Sequence, residues 1–317
     1  MDWLKTLELP VVASPMFIAS GPELVIAQCR AGIVGSFPAL NARPSSLLDA
    51  WLAQIDEDLA PARQAPGGVR PGPVAVNLIL HKSNTRLDED LAVCVRRRVP
   101  IIISSVGDPS DLVKEVHGYG GVVLHDVINV RHAEKAIRAG VDGLILVCAG
   151  AGGHAGTLSP FALVGEVRRL FDGLLLVAGA VSRGEDILAV QAMGADLAYM
   201  GTRFIATPQA NVTEGYRQAI VGSTAAGIVY TDHFSGIRAN YLRSSVREAG
   251  YDPDNLPSEG HASLDFNAAP NPGKKVWRDI WSAGQGVGNI GSVAPVQAVV
   301  AQLKQEYEAA RARLSFR

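Results

Sequence analysis

A glycine-rich stretch that ends in a histidine is the clearest candidate for chemistry in this sequence. Five small residues, Ala149-Gly150-Ala151-Gly152-Gly153, precede His154, and Gly156 follows closely. Residues without large side chains let a flat ligand approach the backbone. An imidazole can take up or release a proton near neutral pH. The stretch therefore predicts a binding loop in which His154 is catalytic; the alternative is a solvated histidine in a flexible loop.

Two other turns of small residues indicate an anion site. The apolar run 174–180 ends in Gly179-Ala180, and the run 197–204 contains Gly201-Thr202. Small residues at such turns allow backbone N–H groups to approach an anion. We therefore expect these turns to hold a phosphorylated ligand.

The remaining titratable residues argue against several other chemistries. His125 and Asp126 end another apolar run, and His125 is a weaker catalytic candidate than His154. Adjacent strand residues point to opposite sides, so this pair assembles no metal site and no metal is expected. A glycosidase needs two carboxylates, but Asp126 stands alone. No lysine lies in a predicted strand, as a Schiff-base aldolase requires. The pattern favours a cofactor that carries the reactive centre while the protein supplies orientation and a proton.

Eight short apolar runs, separated by segments of helical period, predict the elements that position these residues. The runs are 11–17, 32–37, 74–79, 101–106, 121–127, 143–148, 174–180 and 197–204. Apolar strands that alternate with helices form a parallel sheet covered on both faces, and eight such units close a (β/α)8 TIM barrel. Catalytic groups of these barrels lie at the carboxyl ends of the strands, and the loops after strands seven and eight commonly bind phosphate. We predict this α/β fold.

A long insertion follows the eighth predicted strand. We expect residues 1–206 and 290–317 to form the barrel and residues 207–289 to form a helical lid or substrate subdomain at the catalytic face. The insertion contains the aromatic residues Tyr230, His233, Phe234 and Tyr241. We expect these side chains to set the size of the substrate.

Composition limits the classes of partner. Of the 317 residues, 48% are hydrophobic, and the 29 Lys and Arg residues nearly balance the 31 Asp and Glu residues in charge. This balance argues against nucleic acid or an anionic membrane as a partner. No apolar run approaches the ~18 residues of a membrane span, and no export signal is visible. Cys29, Cys94 and Cys148 are scattered along the sequence, and we expect them to be reduced. We therefore predict a cytoplasmic protein, because disulfides are rare in that compartment. Whether it forms a homodimer is left open.

Several motifs together resemble the nitronate monooxygenase family, formerly called 2-nitropropane dioxygenases. The motifs lie in the right order over nearly the whole chain: Ala13-Ser14-Pro15-Met16, Val76-Asn77-Leu78, Ala151-Gly152-Gly153-His154-Ala155-Gly156, Val177-Ala178-Gly179-Ala180-Val181, Met200-Gly201-Thr202-Arg203-Phe204 and Ala283-Gly284-Gln285-Gly286-Val287-Gly288. The resemblance implies an FMN-containing barrel with a helical substrate domain. It also implies oxidation of alkyl nitronates by O2 to a carbonyl compound and nitrite.

The resemblance also implies roles for individual residues. His154 corresponds to the family's catalytic histidine. The remaining matched positions imply cofactor contacts: Pro15 and Met16 against the isoalloxazine, Asn77 toward the ring or ribityl chain, Gly152 where the flavin approaches closely, Ala178, Gly179, Ala180, Gly201 and Thr202 at the phosphate, and Gln285 in the late motif.

Two positions depart from the family pattern. Ala180 replaces a glycine, which is tolerable if its φ is negative. Asp126 stands where some relatives carry lysine, and a carboxylate near the phosphate would repel it. We therefore expect Asp126 to face the N–H edge of the flavin ring or a water molecule.

Two alternatives to nitronate oxidation remain. The same family contains flavin-dependent NAD(P)H reductases that act on quinones or enoyl thioesters, and the sequence does not indicate whether a nicotinamide is used. A non-catalytic flavin- or phosphate-binding barrel is the other alternative. His154 favours an enzyme, since a pure binding protein would not need it. The natural substrate is not indicated.

Overall fold

Eight parallel strands form the central element of the computed structural model, which describes residues 2–257 and 278–315. The strands are β1 (Val11–Ala13), β2 (Gly35–Pro38), β3 (Val74–Ile79), β4 (Ile101–Ser105), β5 (Val122–Val127), β6 (Gly143–Val147), β8 (Leu174–Ala178) and β9 (Leu197–Met200). Their order in the sheet is β1-β9-β8-β6-β5-β4-β3-β2, and a parallel bridge between Val12 and Val34 joins its two ends. The predicted TIM barrel is confirmed.

The strands are apolar on both faces because each face is buried. On β5, Leu124 packs inside the barrel, whereas Val123 and Val127 pack in the larger core between the barrel and its helices. This alternation follows the two-residue period of a strand. It places His125 on the helix side of β5 and Asp126 on the inner side.

Helices cover the outside of the barrel. They are α1 (Pro22–Arg30), α2 (Ser45–Gln64), α3 (Leu87–Arg96), α4 (Ser110–Gly118), α5 (Val130–Ala139), α6 (Pro160–Arg168), α7 (Gly184–Ala192) and the final α11 (Val296–Ser315). Helix α11 packs on α7 and α1. The side chain of Glu306 on α11 accepts the backbone N–H of Gly184 at 2.8 Å, which fixes the chain's return to the barrel wall.

Two predicted strands, β1 and β9, end four residues before their apolar runs do. Strand β1 ends at Ala13, and residues 14–17 leave the sheet toward the barrel mouth. Strand β9 ends at Met200, and the chain turns into the short helix α8 (Thr202–Ile205). Gly201 already has φ −110° and ψ −65°, so the helical turn begins there. Apolar composition alone does not distinguish a buried strand from a buried helix.

The insertion after β9 contains strands as well as the predicted helices. Helices α9 (Glu214–Val221) and α10 (Arg243–Glu248) flank a hairpin of β10 (Ile228–Thr231) and β11 (Ala239–Leu242). Strand β11 also pairs with β7 (Gly153–His154), a two-residue strand in the glycine-rich loop. The result is a three-stranded antiparallel sheet shared by the insertion and the barrel. Residues 258–277 of the predicted insertion lie outside the described residues.

Cys29, Cys94 and Cys148 are buried and form no disulfide. None of the helices in the described ranges is both long enough and apolar enough to cross a bilayer.

Candidate functional site

A cavity of about 1000 Å³ opens at the carboxyl ends of the barrel strands. Its volume is at the upper end of the range for ligand sites. The predicted site residues that line it are Pro15, Met16, Asn77, Asp126, Gly152, His154, Ala178, Gly179, Ala180, Gly201 and Thr202. Eleven residues from six strand ends or loops are therefore brought together around one space.

Gln285 is the predicted site residue that does not line the cavity. Its side chain is exposed, and its backbone N–H donates to the carbonyl of Gly150 at 2.8 Å. The structure therefore gives Gln285 a contact with the glycine-rich loop rather than with the cavity.

His154 is held by the shared sheet. It pairs with Ala239 of β11, and its Nε2 lies 3.0 Å from the hydroxyl of Ser235 in the hairpin. Burial lowers the pKa of the imidazole from 6.5 to about 4, because a charged ring is poorly solvated there. His154 is therefore neutral at pH 7, the form in which an imidazole can accept a proton.

Asp126 belongs to a buried polar network at the barrel mouth. The Asn77 amide donates to the Ser105 hydroxyl at 2.8 Å, and this hydroxyl donates to Asp126 Oδ2. The other carboxylate oxygen, Oδ1, is buried and has no hydrogen-bond partner within the described part of the chain. Burial raises the pKa of Asp126 from 3.8 to about 6, against the opposing effect of the Ser105 hydrogen bond. A buried acceptor without a partner at a cavity wall is suited to a ligand N–H.

His125 lies on the opposite face of β5, as its position beside Asp126 predicts. Its Nδ1 is 2.8 Å from the Ser104 hydroxyl, and burial lowers its pKa to about 4. His125 also lines the cavity, although it lies on the helix side of β5 and Asp126 on the inner side. The geometry gives it a structural contact and no pairing with His154.

Close backbone packing explains part of the glycine content around the cavity. A Cβ on Gly152 would lie 2.9 Å from the backbone nitrogen of Gly284, nearer than real Cβ contacts. The same Gly284 nitrogen donates to the Thr202 hydroxyl at 2.9 Å. Gly152 is thus required for the contact between two loops, in addition to lining the cavity.

Ala180 has a conformation that the sequence did not predict. Its φ is +57°, not negative, and the preceding Gly179 has φ +144°. A left-handed conformation costs a residue with a Cβ about 1 kcal/mol. The turn after β8 therefore requires positive φ at both positions, and Ala180 adopts it despite its side chain.

The four aromatic residues of the insertion that were expected to set the substrate size do not line the cavity. The Tyr230 hydroxyl donates to the Ala155 carbonyl at 2.7 Å, and Phe234 packs edge-on against Tyr241 with ring centroids 5.1 Å apart. These contacts support the shared sheet and a small core of the insertion. Tyr216 and Ile237 line the cavity instead.

Ser105 and Ser235 contact the two central titratable groups but were missed in the sequence. Ser104-Ser105 at the end of an apolar run was a usable signal, since hydroxyls at a strand's carboxyl end face the barrel mouth. Ser235 carried no signal, because its contact with His154 spans 81 residues and depends on how the hairpin packs.

The cavity extends into a groove along helix α5. His132, Lys135 and Arg138 line this extension, and no side-chain ion pair engages them among the described residues. The positive charges of Lys135 and Arg131 contribute to lowering the pKa of His132, after burial. The carboxylate of Asp108 also lines the cavity and interacts electrostatically with Lys135. The groove is therefore suited to an anionic group.

Residues 2–257 and 278–315 contain no group of three or more His, Cys, Asp or Glu side chains placed to hold a metal ion.

Comparison with known proteins identifies the family. The family model described as nitronate monooxygenase matches residues 1–306. A nitronate monooxygenase of Paraburkholderia phytofirmans is 27% identical, over 96% of this chain and 93% of the relative. The chain belongs to the nitronate monooxygenase family, a family of flavin oxidoreductases, and the resemblance seen in its motifs is confirmed.

Solved structures share the same fold. The nitroalkane oxidase of Streptomyces ansochromogenes superposes with a TM-score of 0.81 at 22% identity and covers 99% of this chain and 100% of its own. FabK of Thermotoga maritima superposes with a TM-score of 0.78 at 24% identity, covering 99% and 97%. The whole described architecture, including the insertion, thus follows a fold found in other solved proteins.

Proposed function

We propose that the chain is an FMN-dependent monooxygenase that oxidises alkyl nitronates with O2 to a carbonyl compound and nitrite. The observation that carries this proposal is the neutral, half-buried His154 at the same cavity as two turns of small residues. Family membership supports a flavin oxidoreductase. The cavity residues support FMN and a small substrate.

The residues around the cavity fit FMN. Gly179, Ala180, Gly201 and Thr202 would hold the phosphate, with Ala178 beside it, because these turns combine small side chains with backbone N–H groups. Pro15 and Met16 would pack against the isoalloxazine, with Gly152 beside it. Bound FMN would accept the electrons of the substrate and pass them to O2.

Polar groups at the barrel mouth fit the edge of the ring. Asn77 would bond toward the ring or the ribityl chain. The buried Oδ1 of Asp126 would accept a ring N–H, which supplies the partner that this oxygen needs. Asp126 would thereby be kept away from the phosphate.

His154 would handle the proton. A neutral nitroalkane must lose its α-proton before it can be oxidised, whereas a nitronate arrives without it. A pKa of about 4 keeps the imidazole neutral over the physiological range, so it can act as the base. The same pKa disfavours an imidazolium that binds the anionic nitro oxygens.

A flavin-dependent NAD(P)H reductase is the second candidate, and the groove along α5 favours it. A nicotinamide nucleotide carries a pyrophosphate, and Lys135 and Arg138 give the groove positive charge. Asp108 opposes such binding because its carboxylate would repel phosphate.

Anaerobic reduction of the flavin distinguishes the two functions. Purified protein is mixed with propionate 3-nitronate, NADH or NADPH, and loss of the oxidised flavin absorbance is followed. We expect rapid reduction by the nitronate, slow or no reduction by the nucleotides, and nitrite release when O2 is admitted. Rapid reduction by NADH together with no reaction of the nitronate would contradict nitronate oxidation and support the reductase.

A further inference from the structure

The hairpin of the insertion supplies a hydroxyl to the histidine of the barrel. Ser235 lies between β10 and β11, and β11 pairs with the strand that contains His154. Ser235 is half-buried and its Oγ is 3.0 Å from His154 Nε2. The contact joins two parts of the protein that are far apart in sequence.

The hydrogen bonds of Ser235 determine which group donates. Its Oγ lies 2.9 Å from the Ile237 carbonyl oxygen and 3.4 Å from the Tyr241 hydroxyl, in addition to His154 Nε2. A serine hydroxyl has one hydrogen, and a carbonyl oxygen can only accept. The Ser235 hydroxyl therefore donates its hydrogen to the Ile237 carbonyl oxygen. Otherwise two oxygens that both act as acceptors would lie 2.9 Å apart.

The remaining partners must then donate to Ser235. The Tyr241 hydroxyl donates to Oγ, and His154 must also donate, which requires a hydrogen on Nε2. In a neutral imidazole one ring nitrogen is a donor and the other carries a lone pair. A hydrogen on Nε2 places the lone pair on Nδ1.

We propose that Ser235, fixed by Ile237 and Tyr241, is a positioning residue that holds His154 as the Nε2–H tautomer and makes Nδ1 the proton-accepting nitrogen. The tautomer is inferred from the hydrogen bonds of Ser235, whereas its catalytic consequence rests on the proposed function. Ser235 acts through His154 and is not itself a catalytic residue. The insertion, which lines part of the cavity, would then also set the protonation pattern of the base.

Nitrogen NMR tests the tautomer directly in the flavin-containing protein. The protein is labelled with ¹⁵N-histidine, and His154 is assigned among the seven histidines by the signals that His154→Asn removes. At pH 7 we expect Nε2 to be protonated and Nδ1 to have the shift of an unprotonated ring nitrogen. A spectrum with the proton on Nδ1 would overturn the proposal, whatever reaction the protein catalyses.

Variants of Ser235 test its role in fixing the tautomer. Ser235→Ala should give signals of mixed tautomers, and Ser235→Thr, which retains a hydroxyl, should restore the wild-type pattern. We expect Ser235→Ala to lower kcat for a neutral nitroalkane about tenfold, less than the loss of ~10² or more for a removed base. Ser223→Ala, a hydroxyl removed elsewhere in the insertion, is the matched control.

The outcomes separate this proposal from the proposed function. An unchanged tautomer in Ser235→Ala would overturn the role of Ser235. Nε2–H in the wild type, mixed tautomers in Ser235→Ala and no turnover of any nitroalkane or nitronate would support the positioning role while contradicting nitronate oxidation. If Ser235→Ala does not fold, the wild-type spectrum and the Ser235→Thr spectrum still decide the tautomer.

Discussion

Two titratable side chains in the cavity have pKa values shifted in opposite directions by the same cause. Burial lowers the pKa of His154 to about 4 and raises that of Asp126 to about 6. In each case the charged form loses solvation, which disfavours imidazolium and carboxylate alike. At neutral pH His154 is therefore a neutral base, whereas the ionised form of Asp126 is destabilised by its burial.

Asp126→Asn tests the carboxylate through stability. The pKa of Asp126 is about 6 in the folded protein against 3.8 for the free group, so its ionisation destabilises the fold above pH 6 and has little effect near pH 4. Asparagine removes this cost and can still accept the Ser105 hydrogen bond. We expect the free energy of unfolding at pH 8 to rise by about 1–3 kcal/mol, and the gain to shrink at pH 4.5.

Urea unfolding of wild type and variant at both pH values, with the flavin removed from both, measures this effect. Asp172→Asn, at an exposed carboxylate, is the control and should show no such pH-dependent gain. A variant of Asp126 that is less stable than wild type at pH 8 would mean that the ionised carboxylate is stabilised by its surroundings.

Elements differ in how well the sequence predicts them. All eight barrel strands were predicted because their apolar runs are local signals of burial on both faces. The pairing of β7 with β11 was not, because two residues of a glycine loop show no strand pattern and their partner lies far along the chain. Ser235 was missed for the same reason. The positive φ of Ala180 was missed because alanine gives no signal for a left-handed turn.

The turn between β9 and α8 provides a test of the phosphate site. Gly201 has a conformation open to any residue, and a Cβ there would make only ordinary contacts of 3.4 Å with Met16 and Ser14. Gly201→Asp should therefore fold but place a negative charge beside the phosphate. We expect flavin Kd to increase at least about tenfold relative to Gly201→Asn, the uncharged control of equal size.

Flavin content after purification and reconstitution measures this effect, with the released flavin identified by mass. Circular dichroism checks that both variants fold. Equal flavin content in the two variants would place the phosphate away from this turn, and release of FAD would contradict FMN as the cofactor.

Hairpin residues beside the cavity should control the size of the substrate. Ile237 is half-buried, lines the cavity and precedes β11. Ile237→Ala enlarges the space without removing a polar group, so we expect kcat/KM to shift toward longer nitroalkanes, with an unchanged flavin spectrum. Phe161→Ala, at a side chain 79% exposed and outside the cavity, is the control. The same chain-length profile in both variants would show that Ile237 does not contact the substrate.

In the whole molecule, the insertion and the barrel share the loop that carries His154. The Asn240 amide donates to the Ala151 carbonyl at 2.6 Å, and the Ser282 hydroxyl accepts the Gly153 N–H at 2.6 Å and donates to the Asn240 carbonyl at 2.8 Å. The barrel forms the floor of the cavity, and the insertion fixes the loop above it. A boundary at residues 206/207 thus separates segments of the chain that cooperate in one site.

Proton transfer by a neutral His154 is the central claim of this account, and paired rate measurements test it most directly. The measurement is kcat/KM of wild type and His154→Asn for a neutral nitroalkane and for its preformed nitronate. We expect the variant to retain FMN, to lose turnover of the neutral form by a factor of about 10² or more, and to lose much less with the nitronate. His117→Asn, at a histidine on α4 outside the cavity, should match wild type. Equal losses on both substrate forms, or no loss on either, would contradict the assignment of His154 as the base.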